Sequence, residues 1–136
     1  MIPDPVFLHG LVRKEARCLL QYVSESSPWS ANATKLRGIV TMAHRENDLL
    51  ANLIRYCVKK KLGNPGLGAY PHSFMGINFA SLDYLLPMLI DDEKTRIADW
   101  EWAKLSLPAD AVSTVEALIH AKKSHLGHLR EMLSGS

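Results

Sequence analysis

LGNPGLGAYPHSFMGINFAS, residues 62–81, is the stretch that decides the fold. Gly63, Pro65, Gly66, Gly68, Pro71 and Gly76 punctuate it too densely for a helix to run through. The rest of the chain reads as helix with two shorter breaks. Four helical segments with one long middle connection describe an all-α four-helix bundle of up-down-down-up order. Its second and third helices run parallel, because the chain must return along the bundle between them. The connection, about 18 residues, reaches roughly 60 Å when extended. The second helix spans about 40 Å, so the connection is long enough to cross the whole bundle.

Outward from that stretch, hydrophobic periodicity marks each helix. The first starts at Pro3 or Pro5, since proline suits a first turn, carries Leu8, Leu11, Val12, Leu19, Tyr22 and Val23, and ends before Pro28. The second runs from the turn at Ser30 to Thr34 through Leu36, Ile39, Val40, Ala43, Leu50, Leu53, Ile54, Cys57 and Val58, with Gly63 just past its end. The third covers Leu82 to Leu105, with Pro87 predicting a kink or a nearby start, and Pro108 closes it. The fourth follows a short linker that makes it an antiparallel neighbour, with Asp110 as the expected cap.

At 136 residues the chain is one domain, residues 1–136. A net charge of +2 with scattered basic residues argues against a nucleic-acid surface, and Lys59-Lys60-Lys61 reads as the cationic end of a helix. No apolar run reaches the roughly 20 residues that span a bilayer. The start Met-Ile-Pro-Asp-Pro has no secretory character, so the reading is cytoplasmic, with Cys18 and Cys57 as buried thiols rather than a disulfide. The connection is unusually apolar, and Tyr70, Phe74, Met75, Ile77 and Phe79 are expected to pack along the helices. Trp29, in the short first loop, reads as an end cap or an exposed contact.

Polar residues that fall on the inward stripes carry the functional signal. The phase of the first helix turns Glu15 inward. The second turns Asn47 inward with Glu46 beside it, the third Glu93, and the fourth Lys122 and His125. An unpaired buried carboxylate is expensive, so several facing one another require a metal, a proton or a cation between them. Lys122 lies seven residues from both Val115 and Leu129, which predicts an inward ammonium within reach of Glu15, Glu46 or Glu93.

The long crossover and the mid-helix carboxylates resemble the ferritin-like superfamily. That resemblance implies a di-iron site built from a Glu on each of two helices and Glu-x-x-His on each of the other two. Glu15 and Glu93 match the single carboxylates. Glu46-Asn47-Asp48-Leu49 has Leu in place of His, and Lys122-Lys123-Ser124-His125 has Lys in place of Glu. The implied ligands are Glu15, Glu46, Glu93 and His125, with Asn47 and Lys122 as buried polar neighbours. The chain is also similar to DinB-like metal bundles, which implies instead His44, His125 and His128 around zinc or nickel, although the last two are spaced by three rather than four.

The incomplete ligand box, together with apolar loop and end residues, favours a non-catalytic bundle that acts by protein association, as a homodimer or with another protein. No cofactor is expected on this reading. The alternative is a metal-binding protein, and an enzyme in some forms of it, holding iron, zinc, nickel or manganese.

Overall fold

The structure is a computed structural model that describes residues 5–66 and 68–135. The described residues are helical and contain no strand. The helices are α1 (Pro5–Ala16), α2 (Leu19–Ser26), α3 (Ala33–Lys59), α4 (Leu82–Ala103) and α5 (Ala109–Ser134). Short 3-10 turns cover His72–Ile77 and Lys104–Ser106. The alternative helix start at Pro3 lies outside the described residues.

The first helical segment is two helices rather than one. Cys18 adopts an extended backbone (ψ 169°), and Leu19 begins a new helix. The Asp92 carboxylate, on α4, accepts the freed Leu19 N–H at 3.0 Å. A cap supplied from another helix thus stabilises a break that the local sequence does not announce.

Other ends follow their local chemistry. Asn32 caps α3 by accepting from the N–H groups of Thr34 and Lys35, and Ser81 caps α4 by accepting from that of Tyr84. After α3, Lys61 and Gly63 take positive φ. Pro87 lies inside α4, which starts at Leu82 and runs through it. Asp110 is not the cap of α5. Pro108 holds that position without a side-chain bond, and Asp110 sits in the first turn. There it pairs with Lys60 at 3.1 Å and accepts from Tyr56.

The core is built from all five helices, with Leu8, Leu20, Ile39, Leu53, Leu86, Leu89, Trp100 and Leu118 among its best buried members. Contacts at the helix ends fix which ends are neighbours. Met132 packs against Gly38, joining the end of α5 to the start of α3. Lys60 and Tyr56 reach Asp110, joining the end of α3 to the start of α5. Lys35 pairs with Asp83, and Leu82 N–H donates to Trp29 C=O, joining the starts of α3 and α4. Phe7 meets Trp102 edge-on at 5.4 Å, joining the start of α1 to the end of α4.

The connection is pinned to α1 and α2. Arg13 donates to Pro65 C=O, Arg17 donates to Gly68 C=O, and Tyr22 packs against Tyr70 and Phe74. Phe74 and Ile77 pack on the core as expected, whereas Met75 and Phe79 are exposed. Trp29 is exposed as well.

Candidate functional site

Five polar side chains are buried among the described residues: Glu15, Glu46, Glu93, Lys122 and His125. They come from α1, α3, α4 and α5 and meet at one point. Lys122 Nζ lies 2.8 Å from Glu15 Oε2, from Glu46 Oε1 and from Glu93 Oε1. An ammonium has three N–H donors and no acceptor. Here each donor has its own carboxylate, and the side chain is fully buried.

The remaining carboxylate oxygens differ in what they meet. Trp100 Nε1 donates to Glu15 Oε1 at 2.8 Å. His125 Nδ1 lies 2.6 Å from Glu46 Oε2. Glu93 Oε2 is buried and accepts from no other side chain or backbone donor, although a proton on Glu93 or Glu46 lets these two carboxyls share a hydrogen bond.

Charge is out of balance at this centre. Three carboxylates against one ammonium leave two negative charges uncompensated when all are ionised. Removing charges from water costs several kcal/mol per ion unless they are paired. Protonation of the acids relieves that imbalance. Burial pushes the Glu93 carboxyl well above its ordinary range, with the charges of Glu46 and Glu15 adding to it and that of Lys122 opposing it. Burial also raises Glu46, against the pull of Lys122. For Lys122 burial acts downward, but the three carboxylates outweigh it and hold the ammonium charged well above its usual range. Burial lowers His125 and so favours the neutral imidazole.

Among the described residues, two groups of ligand-grade side chains have donor atoms within 4.8 Å of one another: Glu46 with Glu93 and His125, and Glu15 with Cys18 and Glu46. Carboxylate and imidazole donors suit first-row divalent ions, which bind them at about 2.0–2.2 Å. The first group contains Glu93, whose Oε2 accepts from no other donor. The second depends on a thiol that burial, reinforced by Glu15, holds well above its usual pKa, so its ligand form is disfavoured.

The side chains of Glu15, Glu46, Glu93 and His125 therefore lie around one centre, which Lys122 occupies, but their donor atoms fall into two groups and Glu15 is not grouped with Glu93 and His125. Asn47 does not join it, being exposed. One residue on an α-helix is a rotation of about 100°, and Glu46 rather than Asn47 takes the inward position. The alternative set does not form either. His44 and His128 are exposed and belong to neither group. His128 shares only a shallow hollow with His125, beside Gly38 and Met132.

Two members of the site were not read from the sequence. Trp100 could have been found because a buried indole N–H needs an acceptor. Cys18 follows Glu15 by three residues, the same spacing as Glu-x-x-His, and that spacing was the available signal. No protein family, curated protein or solved structure matches this chain.

Proposed function

We propose that this chain is a ferritin-like, up-down-down-up four-helix bundle that binds one divalent transition-metal ion through Glu46, Glu93 and His125. Lys122 then stands in for the second cation of a di-metal centre. The end contacts support the arrangement, since α3 and α4 share starts while each abuts α5 in the opposite sense. The observation that carries the metal reading is the pair of uncompensated negative charges beside a buried Glu93 oxygen that accepts from no other side chain or backbone donor. A divalent ion balances both charges at once. Two protons on Glu46 and Glu93 balance them in the metal-free protein, and the ion displaces those protons on binding. Three protein ligands leave open positions on the ion for water or a small molecule.

The test is elemental analysis of protein expressed without a polyhistidine tag, with melting curves before and after adding iron, zinc, nickel or manganese. The expected result is about one equivalent of bound ion, and about 2.7 kcal/mol of stabilisation at a free metal concentration one hundred times Kd. Below about a tenth of an equivalent, with no gain in melting temperature, the metal reading fails.

A second reading, association without chemistry, is supported by apolar residues at one end of the molecule. Trp102 and Leu105 are 65% and 79% exposed, next to the Phe7–Trp102 contact. Twofold dimers are the commonest oligomers, and this patch suits one. Light scattering that shows only a 15.2 kDa species in dilute solution removes this reading.

A further inference from the structure

The fold brings Arg96 to three basic residues that are already close in the sequence. Arg13 and Lys14 on α1, Arg17 at the α1–α2 break, and Arg96 on α4 line one cavity of about 530 Å³, roofed by the connection. This size lies within the usual range for small-molecule sites, about 300–1,000 Å³. Phe74 and Pro71 supply an apolar wall, and Cys18 lines the inner end.

Four cations meet a single carboxylate there, that of Asp92, which already accepts the Leu19 N–H. Arg96 reaches Asp99 at 3.3 Å through one terminal nitrogen, while its Nε is buried with no partner. Arg13 and Arg17 are each fixed by a bond to the connection, and Arg17 lies over the Tyr70 ring at 4.9 Å. The side-chain entropy of these arginines is therefore spent before any ligand arrives, which is the condition for tight recognition by a guanidinium. Neither Arg13 nor Arg17 forms an ion pair with a carboxylate among the described residues, and both line the cavity.

We propose that this cavity binds a small organic anion, its carboxylate or phosphate held by the arginines and its apolar body lying against Phe74 and Pro71. The site is separate from the Lys122 centre and needs no metal, so it stands or falls independently of the metal reading.

The experiment uses the full chain, stripped with a chelator so that anion binding to a metal is not counted. Benzoate, phenyl phosphate and neutral benzamide are titrated in low salt while the arginine Nε–Hε resonances are followed by NMR. Benzoate or phenyl phosphate should shift the Arg96 signal saturably, with the tighter of the two naming the headgroup, and benzamide should not. Arg96→Met should weaken the anion about tenfold or more, and the exposed Lys14→Gln, which leaves the fold's tethers in place, should weaken it severalfold. Absence of a saturable shift from both anions overturns the proposal. So does equal binding of benzamide, or an unchanged affinity in Lys14→Gln together with a folded Arg96→Met.

Discussion

Two clusters of charge lie on either side of Cys18, and they are opposites. Inward, one ammonium meets three carboxylates, all buried. Outward, four cations meet one carboxylate at a cavity open to water. The excess is negative in the first and positive in the second, but burial matters more than sign. Buried excess charge must be neutralised by a proton or an ion, so it becomes a question of stability and of linkage to pH. Excess charge beside water costs little and becomes a question of recognition. The same side-chain chemistry thus serves two purposes according to its depth.

Lys122 offers the hardest way to break this comparison. Lys122→Glu puts a fourth carboxylate where the cation was and should lower the unfolding free energy of metal-free protein by at least about 3–5 kcal/mol. Lys122→Ala should cost slightly less, about 3 kcal/mol. Urea denaturation measures both, and added divalent metal should restore the Lys122→Glu protein. A Lys122→Ala protein as stable as the parent would mean the inner cluster is not held by its cation.

Trp100→Phe comes next. It keeps the ring but removes the donor to Glu15 Oε1, leaving a buried oxygen unpaired at a cost of about 1–3 kcal/mol. Asp92→Ala acts on the outer cluster. It strips the cap from α2, with about 0.5–2 kcal/mol lost, and it should also tighten anion binding by removing the one carboxylate that lines the cavity among the described residues. A variant that loses stability without gaining anion affinity would sever the link between the break and the cavity.

The smallest effect at neutral pH is expected from Glu93→Gln, which imitates the protonated acid, and its information lies in the pH profile. Glu46 and Glu93 are raised in the folded state, so their stabilisation is full below the ordinary carboxylate range and is lost as pH rises through their folded values. Lys122, also raised, holds its contribution until pH passes its own elevated value. His125 is lowered, so its contribution is present above its ordinary value of 6.5 and is lost as pH falls through the folded one. Melting temperatures of metal-free protein between about pH 5 and 9 should therefore decline on the alkaline side, and less so in Glu93→Gln. An unchanged alkaline slope in that variant would place the proton elsewhere.

The inner cluster was legible because it obeys helical phase. Glu15, Glu93, Lys122 and His125 fall on stripes set by their own neighbours, with Glu46 one residue from the position read as inward, and burial follows the stripe. Asn47 was misread because adjacent residues at a stripe margin are told apart only by the partner helix. The α1–α2 break depends on Asp92, which lies 73 residues from the N–H it caps, and no local propensity encodes that bond. Asp110 was expected to cap its own helix, but Lys60 and Tyr56 from α3 claim it. The outer cluster was invisible for the same reason. Arg13, Lys14 and Arg17 are close in sequence, but Arg96 joins them only when α4 packs beside α1 and α2, and the cavity exists only once the connection lies over them.

On the proposed metal reading, protons fill the buried excess of charge and a divalent ion replaces them. Titration calorimetry of metal-free protein with zinc at pH 7, run in two buffers of different ionisation enthalpy, measures that exchange directly. Saturation near one equivalent is expected, with proton release from Glu93 and Glu46 as the ion binds, and with reduced release in Glu93→Gln. Binding with no proton release, or no binding at all, would contradict it.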